Sequence, residues 1–169
     1  MRRELVSQCS ARSHLSLLSP RPLVVSPAVA ESQIHALSRS VIPFVVKIDS
    51  VAVFPKTSVV YLELSAGMQE LSNLHDRLAT GAFEFNEPFP FHPHITLAQN
   101  FDVATVDERY QLAKREWANY QGPKEFLLDR LVFVQNSVTN CWMDLKSFPL
   151  LGMPKAPTPN PTRQLSQTY

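Results

Sequence analysis

Apolar residues recur at three- and four-residue spacings in three segments of the chain, which predicts three amphipathic helices. The predicted helices run from Pro27 to about Pro43, from Met68 to Leu78 and from about Thr105 to Gly122. Ser26 is the expected N-cap of the first helix, and Gly81 is the expected end signal of the second. Thr105 and Glu108 have the spacing of a capping box at the start of the third.

Valine-rich or alternating segments between these helices predict strands. The predicted strands are 13–18, 44–54, 58–64, 92–98, 126–134 and 141–148. Pro55-Lys56-Thr57 is the expected turn that pairs the second strand with the third, and the last two strands are expected to form a hairpin. The order of these strands and helices indicates two loosely related halves.

Composition narrows the class of protein. Apolar residues make up 44% of the 169 residues and charged residues 18%, which is enough for one folded unit with a real core. A net charge of +1 argues against a large basic surface for long nucleic acid. The two cysteines, Cys9 and Cys141, are too few for a disulfide framework, and no run of about 18 apolar residues exists. A reduced, cytoplasmic location without membrane association is therefore expected.

Two short stretches carry the same order of side chains: His14-Leu15-Ser16-Leu17 and His94-Ile95-Thr96-Leu97. Successive side chains of a strand point to opposite faces, so each histidine shares a face with the hydroxyl two residues on. A histidine pair can hold one neutral and one protonated member near neutral pH, which suits acid–base chemistry. The hydroxyls of Ser16 and Thr96 are placed to donate hydrogen bonds to phosphoryl oxygens.

A metal site is the competing interpretation of the second stretch, because His92 and His94 lie two residues apart on one strand. A third ligand is missing from the pattern, since His35 and His75 fall on predicted helices without an acidic partner at ligand spacing. We therefore expect no metal and no other cofactor, with His92 as a supporting or structural residue.

The two motifs resemble the paired His-x-Ser/Thr motifs of the 2H phosphoesterase superfamily, in particular its 2′-5′ RNA ligase-like branch. The resemblance covers about residues 4–150. It includes Pro20-Arg21-Pro22-Leu23 after the first motif, Phe54-Pro55 with Val59-Val60-Tyr61-Leu62, and Trp142 ahead of Phe148-Pro149-Leu150. The second motif is the more specific of the two.

The resemblance implies a bilobal α+β fold, with two antiparallel sheets that face a central cleft and helices packed outside. It implies hydrolysis, or reversible ligation, of a 2′,3′-cyclic or 2′-5′ phosphodiester at a nucleotide or RNA end, without a metal. His14 and His94 become the acid–base pair and Ser16 and Thr96 the phosphate-binding hydroxyls. Which histidine is the base stays open. Other possible substrate contacts are Arg21, Phe91 and His92.

Family members have a strand and much of a helix before the first motif, whereas 13 residues precede His14 here. The expected organisation is a domain over residues 1–150 that lacks this first strand, followed by a proline-rich disordered tail over 151–169. The chain is expected to act as a monomer. One alternative is a non-catalytic module that binds a nucleotide or RNA end in the same cleft, and another is an inactive fragment of reduced stability.

Overall fold

The computed structural model describes residues 1–5, 12–136 and 142–153. Its helices are α1 (Arg2–Leu5), α2 (Pro27–Ser38), α3 (Met68–Leu78) and α4 (Val106–Asn119). Its strands are β1 (Phe44–Val53), β2 (Val60–Ala66), β3 (Ile95–Ala98), β4 (Glu125–Leu128), β5 (Arg130–Asn136) and β6 (Trp142–Pro149). The expected α+β class is confirmed, with one four-stranded and one two-stranded antiparallel sheet. Cys9 and Cys141 lie outside the described residues.

The four-stranded sheet has the order β3-β2-β1-β4 and carries both strands of the first predicted hairpin. β1 and β2 pair antiparallel, with Val51 opposite Leu62, so the prediction for 44–54 and 58–64 is confirmed. The turn between them closes with a bond from the Ser58 N–H to the Phe54 carbonyl at 2.8 Å. This hairpin forms the centre of the sheet, on which the candidate site is built.

The strand predicted over 126–134 is in fact two strands that belong to different sheets. β4 pairs with β1, and after the single residue Asp129 the chain continues as β5, which pairs with β6. The second predicted hairpin is therefore correct only for β5 and β6. Continuous apolar runs, 126–128 and 131–134, lie on both sides of Asp129 and Arg130, so apolar periodicity does not indicate the change of sheet.

The strand predicted over 13–18 is reduced to a single antiparallel bridge between Leu15 and Ile95. This bridge adds the first motif to the free edge of β3. Pro20 and Pro22 follow closely, and proline has no N–H to donate to a strand ladder. The pairing consequently cannot extend far in that direction.

Helix bounds agree with the sequence prediction for α3 and differ for α2. α2 begins at Pro27 after Ser26, as expected, but it ends at Ser38 rather than near Pro43. The Ser38 hydroxyl donates to the His35 carbonyl at 3.0 Å, and the Ser40 hydroxyl donates to the Leu37 carbonyl at 2.7 Å. These bonds satisfy carbonyls of the last turn that a longer helix would have paired.

The two predicted helix signals at Gly81 and Thr105 act differently from expectation. α3 already ends at Leu78, and Gly81, at φ +55°, begins a separate 3₁₀ turn. The Thr105 hydroxyl donates to the Asp102 carbonyl at 2.7 Å and accepts a bond from Arg109, so the predicted capping box does not form. Local side-chain bonds have replaced the box.

The helices lie on the outer faces of the two sheets. α4 covers β1 and β2, where Ala113 and Trp117 are buried and the Trp117 Nε1–H donates to the Asp49 carbonyl at 2.8 Å. α2 packs against β5 and β6, α3 packs against α2 and β2, and a second apolar cluster that includes Leu74 and Phe148 joins these elements.

The start of the predicted tail is hydrogen-bonded to the body of the protein. The Leu151 N–H donates to the Ser38 carbonyl at 2.9 Å, and the Gly152 N–H donates to the Val41 carbonyl at 2.8 Å. The disorder of the tail stays a prediction. Residues 154–169 lie outside the described residues.

Candidate active site

Both His–hydroxyl motifs lie side by side at one edge of the four-stranded sheet. Because Leu15 bridges Ile95 in the antiparallel sense, the register places His14 opposite Thr96 and Ser16 opposite His94. Residues opposite each other in such a pair have Cβ atoms about 4.5–5.5 Å apart. The structure thus brings together the four side chains that the motifs singled out, and we call the side of the sheet that carries them the motif face.

The motif face continues onto β2. Leu62 pairs with Ile95 and Tyr61 with Thr96, so the same register places Glu63 opposite His94. The reverse side of these strands is apolar, and its side chains belong to the core beneath α4. That core layer contains Leu15, Ile95, Leu62 and Val51. The alternation that turns these four side chains toward the core also places the polar side chains together on the motif face.

The two motif histidines are fixed by the same type of hydrogen bond. His14 Nδ1 lies 2.8 Å from the Arg12 carbonyl, and His94 Nδ1 lies 2.7 Å from the His92 carbonyl. A carbonyl oxygen only accepts, so in both rings Nδ1 carries the hydrogen. Within the described residues Nε2 of neither ring has a hydrogen-bond partner. Both histidines therefore keep Nε2 available for proton transfer.

His94 is half-buried against a cluster of aromatic side chains. Its ring meets Phe54 at 4.9 Å and Tyr61 at 5.4 Å between centroids, each in an edge-on geometry, while Phe54 and Tyr61 stack at 4.0 Å. Burial lowers the pKa of His94 below its ordinary value of 6.5, and the bond to the His92 carbonyl opposes that effect. The neutral imidazole is thus the favoured form at pH 7.

Glu63 is the residue of this site that the sequence prediction missed. One carboxylate oxygen accepts a bond from His92 Nε2 at 2.9 Å, and the other accepts a bond from the Tyr61 hydroxyl at 3.1 Å. Burial, with a smaller contribution from this bond, raises the pKa of Tyr61 to about 12, so Tyr61 stays a donor. The available signal was the spacing of Tyr61 and Glu63, two residues apart in a predicted strand.

The surroundings of His14 are more open. The His14 ring is exposed and lies 5.7 Å from the ring of Trp142, which is half-buried. Arg12 forms an exposed ion pair with Asp144 on β6, and this pair lowers the pKa of the Asp144 carboxyl. The first motif is thereby linked to the second sheet through side chains.

A cavity of about 1320 Å³ separates the first motif from the second sheet. Its lining includes all of residues 12–23 and all of residues 126–136, together with Trp142. His14 and Ser16 lie in its lining, whereas the second motif contributes Ile95. A volume of this size accommodates a nucleotide-sized molecule beside His14.

Arg21 and Phe91, two of the predicted substrate contacts, stabilise the segment that leads into the second motif. Arg21 is almost fully buried, pairs with Glu87 and donates to the Phe83 carbonyl at 2.9 Å. The Phe91 ring stacks on His75 at 4.1 Å, and the His75 side chain is only 12% exposed. Contact of Arg21, Phe91 or His92 with a substrate stays a prediction.

Among residues 1–5, 12–136 and 142–153, no group of three or more His, Cys, Asp or Glu side chains is arranged to hold a metal ion. In the same part of the chain, no helix has the length and apolar character needed to cross a membrane.

Residues 10–140 match the family model described as the 2′-5′ RNA ligase superfamily. Among curated proteins, the chain is 34% identical over 71 residues to one named "Putative phosphoesterase" from Oceanobacillus iheyensis, and this stretch spans 41% of each protein. A second protein with that name, from Halalkalibacterium halodurans, is 22% identical over 146 residues, which cover 81% of this chain and 82% of the relative.

Two solved structures share the fold. The first is TT0787 of Thermus thermophilus, with a TM-score of 0.52 and 19% identity over 83% of this chain and 79% of that one. The second is Escherichia coli LigT complexed with 3′-AMP, with a TM-score of 0.55 and 20% identity over 82% of this chain and 76% of LigT. At these identities the likeness establishes the architecture: an α+β fold with two antiparallel sheets and outer helices.

Proposed function

The chain belongs to the 2′-5′ RNA ligase superfamily, and from that premise we propose that it is a metal-independent phosphodiesterase of nucleotide or RNA ends. The substrate is a 2′,3′-cyclic or 2′-5′ phosphodiester. The matched pair of histidines supports this proposal best: each imidazole has Nδ1 bound to a carbonyl and Nε2 available. The two hydroxyls beside them can donate hydrogen bonds to the phosphoryl oxygens during acid–base catalysis.

In hydrolysis of a cyclic phosphate, one imidazole takes a proton from water while the water oxygen forms a bond to phosphorus. The bond from phosphorus to one ribose oxygen breaks, and the second imidazole gives its proton to that departing oxygen. Ser16 and Thr96 donate hydrogen bonds to the phosphoryl oxygens. Within the described residues neither hydroxyl is engaged by another group, so both are available for this task.

We assign the base to His94 and the acid to His14. Burial favours the neutral form of His94, and a neutral Nε2 is what proton abstraction from water requires. His14 is exposed, so it can exchange protons with bulk water between turnovers. In the reverse direction, which corresponds to ligation, the two roles exchange.

A nucleotide substrate is supported by two observations. LigT, which shares the fold, is complexed with 3′-AMP. The cavity beside His14 also has a volume suited to a nucleotide, with Trp142 as an aromatic wall.

The second candidate is a module that binds a nucleotide or RNA end without turnover. The observation in its favour is that a single bridge at Leu15 is the only ladder pairing of the first motif with another segment among the described residues. If His14 is not held at reacting distance, the cleft retains binding and loses catalysis, since misplacement by about 1 Å can cost about 10²-fold in rate.

The deciding experiment measures hydrolysis of 2′,3′-cyclic nucleotides and 2′-5′ dinucleotides in EDTA. It compares the wild type with His94→Ala and with His35→Ala, an exposed α2 histidine that serves as the matched control. We expect turnover that survives EDTA, is lost in His94→Ala and is retained in His35→Ala. Folded protein that binds 3′-AMP but turns over none of these substrates would support the binding module instead.

A further inference from the structure

Glu63 lies on the motif face directly opposite His94, yet the two-histidine chemistry assigns it no task. Its side chain is 26% exposed; one carboxylate oxygen accepts a hydrogen bond from the Tyr61 hydroxyl, and the other accepts bonds from His92 Nε2 and, at 3.4 Å, from the Leu64 N–H. Desolvation of a carboxylate costs free energy, so a partly buried Glu63 held by hydrogen bonds next to the His94 ring suggests a role for its charge there.

We propose that Glu63 is a positioning residue for His94, which it orients through His92 and supports with its negative charge. This inference rests on the proposed two-histidine phosphodiesterase function and adds the group that prepares one histidine for proton transfer. Glu63 itself does not touch the substrate, so it acts through its neighbours.

The mechanical part of the argument follows a chain of hydrogen bonds. Glu63 holds the His92 side chain at 2.9 Å, and the carbonyl of the same His92 accepts the bond from His94 Nδ1 at 2.7 Å. Pro93 lies buried between the two histidines, and a following proline restricts His92 to extended conformations. His92 is therefore fixed at its side chain and its backbone, which fixes the ring orientation of His94.

The electrostatic part concerns what faces the His94 ring. Tyr61 and Glu63 lie on β2, His92 lies two residues before His94 in the chain, and His14 belongs to the first motif. Burial and the two other histidines disfavour a charged His94, whereas the Glu63 carboxylate favours it. When His94 takes a proton from water, Glu63 is thus the nearby anion that stabilises the imidazolium.

A purely structural role for Glu63 is the alternative, since bonds to Tyr61 and His92 also tie β2 to the second motif. The two roles differ in what a neutral isostere does. Glu63→Gln keeps the shape of the side chain and removes its charge. A structural role predicts a change in stability alone, whereas the proposed role predicts a change in the titration of His94.

The test is an NMR titration of the histidine rings in the wild type and in Glu63→Gln. We expect the pKa of His94 to fall by about half a unit or more on loss of the carboxylate, while the His14 titration stays as in the wild type. The acid limb of kcat/KM against pH is expected to move in the same direction. Unchanged His94 titration in folded Glu63→Gln protein overturns the proposal.

Tyr61→Phe is the matched control, because it removes one donor to Glu63 and leaves the carboxylate charge and the stack on Phe54 in place. A shift as large as that of Glu63→Gln would mean that packing, not charge, sets the titration, and it overturns the proposal. If Glu63→Gln does not fold, Glu63→Asp replaces it. In Glu63→Asp the shorter side chain moves the carboxylate away from His92, which is expected to lower the pKa of His94. An unchanged pKa of His94 overturns the proposal.

The NMR measurement needs no turnover, so the two proposals fail separately. An inactive wild type whose His94 shifts in Glu63→Gln contradicts the phosphodiesterase and leaves the coupling of Glu63 to His94 in place. An active wild type whose His94 does not respond to Glu63→Gln contradicts the positioning role alone.

Discussion

The two halves of the candidate active site hold their histidines alike but surround them differently. Each imidazole has Nδ1 bound to the carbonyl two residues before it. His94 precedes β3 of a four-stranded sheet and packs against Phe54 and Tyr61, whereas His14 is exposed and its segment joins the sheet through one bridge. Identical local motifs thus receive different burial from the fold around them.

This difference separates two requirements of acid–base catalysis. The ring orientation of each histidine is set by the backbone carbonyl two residues before it, which for His94 belongs to a residue that Glu63 holds through its side chain. For His94, the balance between neutral and charged forms is shifted by burial among tertiary contacts, whereas the His14 side chain is exposed. Two copies of one motif can therefore act as base and acid because their surroundings differ.

The largest expected effect comes from removing the imidazoles. His14→Ala and His94→Ala are each expected to lower kcat by about 10²-fold or more, because each proton transfer loses its catalyst. The double variant is expected to be little worse than either single one, since the two groups act in one step. Initial rates on a 2′,3′-cyclic nucleotide in EDTA measure all three.

Independent effects that multiply in the double variant would contradict a concerted role of the two halves. His35→Ala again controls for loss of a histidine as such, because His35 is exposed on α2 outside the motifs.

The next effect in size concerns the hydroxyls. Ser16→Ala and Thr96→Ala are each expected to lower kcat/KM by about 10- to 10²-fold, since each removes one donor to the charged phosphoryl oxygens. The exchanges Ser16→Thr and Thr96→Ser keep a hydroxyl at each position and should retain most activity. Equal losses in the alanine and the exchange variants would show that packing at these positions matters more than the hydroxyl.

A smaller effect compares the apolar residues beneath the two motifs. Ile95 is 9% exposed within the core under α4, so Ile95→Ala is expected to destabilise the fold by about 2–4 kcal/mol. Leu15 is only half-buried at the sheet edge, and Leu15→Ala is expected to cost clearly less. Urea unfolding curves measure both.

Equal losses in Leu15→Ala and Ile95→Ala would mean that the first motif is anchored as firmly as the second. The two halves would then differ only in the burial and electrostatic surroundings of their histidines.

Sequence patterns were informative where one local rule decided the outcome. α3 has its predicted bounds, Met68–Leu78, because its apolar positions Leu71, Leu74 and Leu78 form one buried stripe. The shared face of each histidine and its hydroxyl follows from strand alternation, and the structure places all four side chains on the motif face.

Long-range pairing decided the rest. The separation of β4 from β5 at Asp129 depends on which strands are available as partners, and that information is not contained in residues 125–136 themselves. Glu63 alternates with apolar neighbours, which predicts an outward position, but its place beside His94 depends on the pairing of β2 with β3. The carbonyl partners of Nδ1 are backbone atoms and have no sequence signature.

The smallest expected effect is the pH dependence that His94, in the more buried half of the site, gives to the free energy of unfolding. Because burial lowers the pKa of folded His94, while the unfolded chain keeps the ordinary value near 6.5, the unfolded state binds more protons in mildly acidic solution. The contribution of His94 to stability is therefore complete above pH 6.5 and is lost as the pH falls from there through the lower folded value.

The same shift is expected in catalysis. With His94 as the base, kcat/KM should follow a bell-shaped curve against pH whose acid limb has its midpoint below the ordinary histidine value of 6.5. Rates on one cyclic nucleotide across the pH range, together with NMR titration of both rings, assign that limb. An acid limb that follows the His14 titration instead would exchange the two roles and make the more open half of the site the source of the base.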